Sequence, residues 1–74
     1  MSIGLRIKAR RLNLQMTQHH LALLTKQTQQ AINRIEMGFT ASPRKIIDLA
    51  LVLKCDPHWL QYGFNYIQQE EENR

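Results

Sequence analysis

Seventy-four residues suffice for one small domain and exclude separate catalytic and regulatory parts. Apolar residues at 43% and charged residues at 22% form an ordinary globular balance, which excludes a disordered chain, a collagen and a coiled-coil rod. The net charge of +4 is unevenly placed: residues 1–37 carry Arg6, Lys8, Arg10, Arg11, Lys26 and Arg34 against Glu36 alone, a net +5, whereas residues 38–74 sum to −1, so the first half is built to meet an anion.

Ile3, Ile7 and Leu14 recur at spacings of four and seven, predicting a first helix over 3–14. Arg11 falls on the same stripe, where a guanidinium needs a carboxylate partner or a surface to lie along. Thr17 reads as an N-cap, with Met16 and Leu21 placed as a hydrophobic staple, for a second helix over about 17–25. Thr28 caps a third, in which Ile32 and Ile35 point inward while Gln29, Gln30, Asn33 and Arg34 share the opposite face. Gly38 suits the left-handed residue that ends this helix. Phe39-Thr40-Ala41 then bridges to Ser42-Pro43, a cap and first-turn proline that predict the start of a fourth helix. Ile46, Leu49, Ala50 and Leu53 form its buried face, widened by Ile47, Leu51 and Val52. Asp56-Pro57 opens a last helix over about 57–62, which offers Trp59, Leu60 and Tyr62 to the core or a partner and stops at Gly63. The expected fold is all-α and compact, five helices without a sheet, occupying residues 1–63; residues 64–74 form a short arm or a frayed tail.

Two short helices joined by a tight turn, the second presenting only hydrogen-bonding side chains, match the helix-turn-helix arrangement that enters a DNA major groove. A glutamine amide matches adenine N6/N7 and an arginine fork matches guanine O6/N7, which makes Gln29, Gln30 and Arg34 candidate base readers, with Asn33 a fourth. The same side chains also fit a solvated helix face, and spacing alone leaves both readings open. Arg6, Arg10, Gln18, Lys26, Thr28 and Arg44 are the candidate phosphate contacts, which set register without reading sequence.

Met16-Thr17-Gln18, Leu21-Ala22, Thr28-Gln29-Gln30, Ile32, Ile35-Glu36-Met37-Gly38, Pro43 and Asp56-Pro57-His58-Trp59-Leu60 together resemble the lambda-repressor-like Cro/cI family over residues 3–63. The resemblance implies base reading by Gln29, Gln30 and Arg34, and a structural ion pair between Arg11 and Glu36. It also has departures. Lys26 stands at the turn position usually held by glycine, which implies a left-handed lysine at a cost of ~1 kcal/mol or a different turn. Thr25 replaces the usual apolar residue before it, with Leu23 and Leu24 expected to supply the bulk. His19-His20 replaces the family's acidic pair, which tilts the reading toward repression. With no oligomerisation domain following in the sequence, the resemblance favours a short Cro-type regulator of phage or prophage kind.

No apolar run reaches the ~20 residues that cross a bilayer, and Met1-Ser2-Ile3-Gly4-Leu5 lacks the layout of a secretion signal, so a cytoplasmic protein without membrane partner is expected. The lone Cys55 excludes a disulfide framework and reads as core. His19, His20 and His58 lack ligand spacing for a metal, and no nucleophile–base grouping, phosphate loop or carboxylate pair appears, so neither an enzyme, a cofactor nor a small-molecule substrate is expected. A core this small covers only ~60–65% of the unfolded surface, which favours self-association. Pro57, His58, Leu60, Gln61 and Phe64 form the expected homodimer contact. The expected function is thus a homodimeric, sequence-specific repressor bound to an inverted-repeat operator on double-stranded DNA, associated with the nucleoid when bound. An antitoxin-type protein-binding module and a restriction-modification controller are the alternatives.

Overall fold

Four of the five helices begin where a short polar side chain can satisfy the free amides of a first turn. In the computed structural model, which describes residues 2–40 and 42–64, these helices are α1 (Ile3–Asn13), α2 (Gln18–Leu24), α3 (Gln29–Glu36) and α5 (Pro57–Tyr62). Ser2 accepts from the amide of Leu5 at 3.3 Å, Thr17 from His20 at 3.0 Å, Thr28 from Ala31 at 3.0 Å and Asp56 from Trp59 at 2.8 Å, each cap contributing about 1 kcal/mol. The remaining helix, α4 (Ile46–Val52), has no side-chain cap. No strand occurs among the described residues. Residues 65–74 of the expected arm or tail lie outside them.

The helix ends share one device. Gln15, Lys26, Gly38 and Lys54 follow α1 to α4 with φ of 58°, 56°, 89° and 56°, all left-handed. The next amide reaches back five residues in each case: Met16 to the Arg11 carbonyl at 2.9 Å, Gln27 to Ala22 at 2.8 Å, Phe39 to Arg34 at 3.0 Å and Cys55 to Ala50 at 3.0 Å. These are Schellman closures, three of them made without glycine at a cost of ~1–2 kcal/mol apiece. Lys26 therefore takes the glycine-like conformation, and the turn keeps its shape.

Each helix sends at least one side chain to the centre: Ile7, Leu21, Ile32, Leu49 and Leu60 are fully buried, joined by Leu53 just beyond α4. Gly4 lets α1 approach α3 closely, since a Cβ there would lie 2.9 Å from the Glu36 carbonyl oxygen and nearer still to that of Ile35.

Three expectations are corrected. The fourth helix begins at Ile46, not at Ser42-Pro43. Pro43 is buried in the preceding loop and walls a hollow together with Ala31 and Ile35, so it is packed beside α3 instead of opening a helix. Ile47 and Leu51 are exposed, because a seven-residue helix packed on α5 and α2 can bury only one stripe. Leu23 and Leu24 are also exposed. Thr25 takes the interior position, its hydroxyl donating to the Leu21 carbonyl at 2.8 Å and thereby losing its need for water.

The charge of α1 is largely spent inside the fold. Arg6, 6% exposed, donates from Nε to the Leu60 carbonyl at 2.9 Å and from Nη2 to that of Gln61 at 2.8 Å. Arg10 donates from Nε and Nη2 to the Leu53 carbonyl at 3.1 and 2.8 Å. Lys45 Nζ donates to the Thr25 and Lys26 carbonyls, each at 3.1 Å. Three cations thus sit at the carboxyl ends of α5, α4 and α2, where unpaired carbonyls and the helix dipole favour positive charge.

Candidate nucleic-acid interface

α2 and α3 are joined by Thr25-Lys26-Gln27-Thr28, a turn held by the left-handed Lys26 and tied from outside by Lys45. α3 buries Ile32, Ile35 and Glu36 against the rest of the domain. That choice of face leaves Gln29, Gln30, Asn33 and Arg34 exposed together on the outer side, two successive pairs at i, i+4. Among the described residues, no segment seals their charged or amide tips.

A buried ion pair holds this helix in place. Arg11 Nε donates to Glu36 Oε2 at 2.7 Å and Nη2 to Oε1 at 3.0 Å, while Nη1 donates to the Met16 carbonyl at 2.8 Å. Glu36 Oε1 also accepts from Gln18 Nε2 at 3.1 Å, and the same nitrogen donates to Asn33 Oδ1 at 3.2 Å. The chain of contacts runs from α1 through α3 to the first residue of α2, then out to the exposed face.

Arg34 is steadied differently. Its guanidinium carbon lies 5.4 Å from the centre of the Phe39 ring, a cation–π contact that keeps an exposed fork from roaming. Sequence alone placed Phe39 only in the stretch that bridges α3 to the next helix. The signal for it is the Schellman closure after Gly38, which carries Phe39 back to the Arg34 carbonyl.

The candidate phosphate contacts divide. Lys26, Thr28 and Arg44 are exposed, the last beside a hollow of about 220 Å³ that Arg34 and Gln27 also line. Arg6 and Arg10 are corrected: both guanidiniums are turned to helix-end carbonyls, because an arginine on α1 at these positions reaches the ends of α5 and α4 more readily than solvent. Gln18 faces Asn33 and Glu36 and is half-buried.

On α5 and just beyond it, His58 packs against Tyr62 and Phe64, ring centres 4.9 Å away in both cases, and His58 Nδ1 lies 3.0 Å from the Phe64 carbonyl oxygen. Leu60 does not belong to this surface. It is the one buried residue of α5 and belongs to the core, whereas Pro57, His58 and Gln61 are half-buried and Phe64 is exposed. No cluster of three histidine, cysteine or acidic side chains fit for a metal occurs among the described residues, and no helix there is long and apolar enough to cross a membrane.

A capped helix, a four-residue turn and a second helix with an unbroken polar outer face define a helix-turn-helix unit. Residues 7–60 match the helix-turn-helix family model, and the chain belongs to that family. It is 36% identical over 64 residues to the HTH-type transcriptional regulator DicA of Escherichia coli K12, a match that covers 85% of this chain and 47% of the regulator, so the chain spans about half that protein's length. Its fold is similar to the crystal structure of the P22 c2 repressor bound to a synthetic operator, with TM-score 0.81 and 29% identity over 86% of this chain and 98% of the repressor chain. The solution structure of that repressor's DNA-binding domain superposes with TM-score 0.77 and 30% identity, covering 85% of this chain and 84% of the other. The fold is thus lambda-repressor-like.

Proposed function

We propose that this chain is a sequence-specific DNA-binding regulator of transcription, a Cro-type repressor that acts as a homodimer on an inverted-repeat operator. The observation that carries this reading is the exposed ridge of Gln29, Gln30, Asn33 and Arg34 on a helix whose other face is fixed by a buried ion pair. Such a helix offers the donors and acceptors that distinguish base pairs in the major groove. Lys26, Thr28 and Arg44 flank it as phosphate contacts, and the similarity to a repressor solved with operator DNA supports the same docking. The reading assigns the contact between subunits to Pro57, His58, Gln61 and Phe64, supported by the aromatic cluster that His58 and Phe64 form with Tyr62, and expects the two α3 helices in grooves ~34 Å apart. Repression in the cytoplasm, without cofactor or catalytic step, completes the reading.

Selection of bound duplexes from a random pool tests it. An enriched inverted repeat is expected, on which Gln29→Ala or Gln30→Ala costs ~1–3 kcal/mol while binding to random DNA barely changes. Equal losses on both DNAs, or no enriched sequence, would refute base reading by α3. Sedimentation of the free chain and of the complex, with two copies per repeat expected, tests the dimer.

A further inference from the structure

Glu36 takes a hydrogen bond from the Arg11 guanidinium on each carboxylate oxygen, so it meets Gln18 as an acceptor. That fixes which end of the Gln18 amide faces inward: the Nε2 group, 3.1 Å from Glu36 Oε1. The second proton of the same nitrogen is directed at Asn33, 3.2 Å away, and only an oxygen can receive it. Asn33 must therefore turn Oδ1 back toward α2. Its Nδ2 is left on the outer side, where its one hydrogen bond among the described residues is a weak one, 3.6 Å to Met37 Sδ. The order of amide ends is dictated by a carboxylate two links away, although Asn33 itself is exposed.

We propose that Gln18 is a positioning residue that makes Asn33 a hydrogen-bond donor toward the DNA, so that Asn33 selects guanine at its base pair and not adenine. An asparagine reads adenine by laying its oxygen and nitrogen side by side against N6 and N7. With the oxygen held against α2 that edge cannot lie flat on the base. An outward NH2 instead matches the two adjacent acceptors of guanine, O6 and N7, and opposes the N6 amino group of adenine. Gln18 thus acts on sequence preference through Asn33, beyond any contact of its own with the backbone. This inference rests on α3 entering the major groove.

The test is selection from a random duplex pool with the full chain and with Asn33→Ala, Gln18→Met and Asn33→Asp. Loss of preference at one base pair in Asn33→Ala identifies the position that Asn33 reads. There the native chain should favour guanine over adenine. Gln18→Met frees the amide to rotate, and the guanine-to-adenine ratio should fall by about fivefold or more, the span of one bidentate pair. The ratio is taken within each protein, so a general loss of affinity cancels. Asn33→Asp, an acceptor on its outer side, should turn the preference toward the N4 amino group of cytosine. Adenine favoured by the native chain, or a ratio unmoved by Gln18→Met, overturns the inference while leaving the groove reading intact. No position altered in Asn33→Ala, against clear changes in Gln29→Ala, does the same. A pool with no enriched sequence overturns both.

Discussion

Arg11 and Glu36 lie 25 residues apart in sequence and meet through two parallel hydrogen bonds, with side chains only 9% and 3% exposed. The pair is buried, forked and supplemented by Met16 and Gln18, so each charge has its partners satisfied. Removing one partner strands the other charge in a place that water barely reaches. Arg11→Met or Glu36→Leu should therefore lower unfolding free energy by ~3–5 kcal/mol, enough to unfold much of so small a domain, whereas the two combined should recover part of the loss. Urea titrations of the three variants decide this; additive losses in the double variant would mean that the two groups do not act as a pair.

Lys54 occupies a left-handed conformation at the end of α4, away from the α3 ridge. Lys54→Gly removes the steric cost of ~1–2 kcal/mol, offset by the ~0.4–1 kcal/mol of extra freedom that glycine has in the unfolded chain. A net gain of ~0.5–1 kcal/mol is expected, or about 4 °C in Tm. Lys26→Gly should give the same gain. Calorimetry showing either variant less stable than the native chain would contradict the conformational account.

Arg10 and Arg44 carry the same charge and should fail in different experiments. Arg10→Ala breaks charge-assisted bonds to the Leu53 carbonyl and should cost ~1.5–3 kcal/mol of stability while leaving the salt slope of DNA binding unchanged. Arg44→Ala should leave melting unaltered and reduce the magnitude of that slope by ~0.9, one phosphate's share. Melting curves and binding isotherms at several salt concentrations separate the two roles.

Cys55 packs half-buried beside the core, and burial pushes its thiol pKa up, opposed by the nearby Arg10 and assisted by Asp56. A raised folded-state pKa means that the native protein holds its proton after the unfolded chain has released it. The stability this contributes is complete below the unfolded pKa and is lost as pH rises through the folded one. Above about pH 9, unfolding free energy should therefore fall more in the native chain than in Cys55→Ala. Alkylation by iodoacetamide at pH 8 should run more slowly on the folded chain than on the urea-unfolded one.

Legibility followed the range of the interaction. The caps at Thr17, Thr28 and Asp56, the stop at Gly38 and Gly63 and the inward aim of Ile32 and Ile35 are all settled within one or two turns, and sequence spacing carries that information. The false start at Ser42-Pro43 shows the limit: a sound local signal yields when Pro43 is buried beside α3 and Lys45 is drawn to the end of α2.

The sequence by itself determined five amphipathic helices and the polar ridge from Gln29 to Arg34, because helical periodicity and capping act between neighbours along the chain. Only the tertiary structure decided how the cations are employed. Arg6 and Arg10 find carbonyls 54 and 43 residues away, and the amide of Asn33 takes its direction through Gln18 from Glu36. A charge or an amide is read equally well by water, by a helix end or by DNA, and only packing brings one of these within reach while excluding the others.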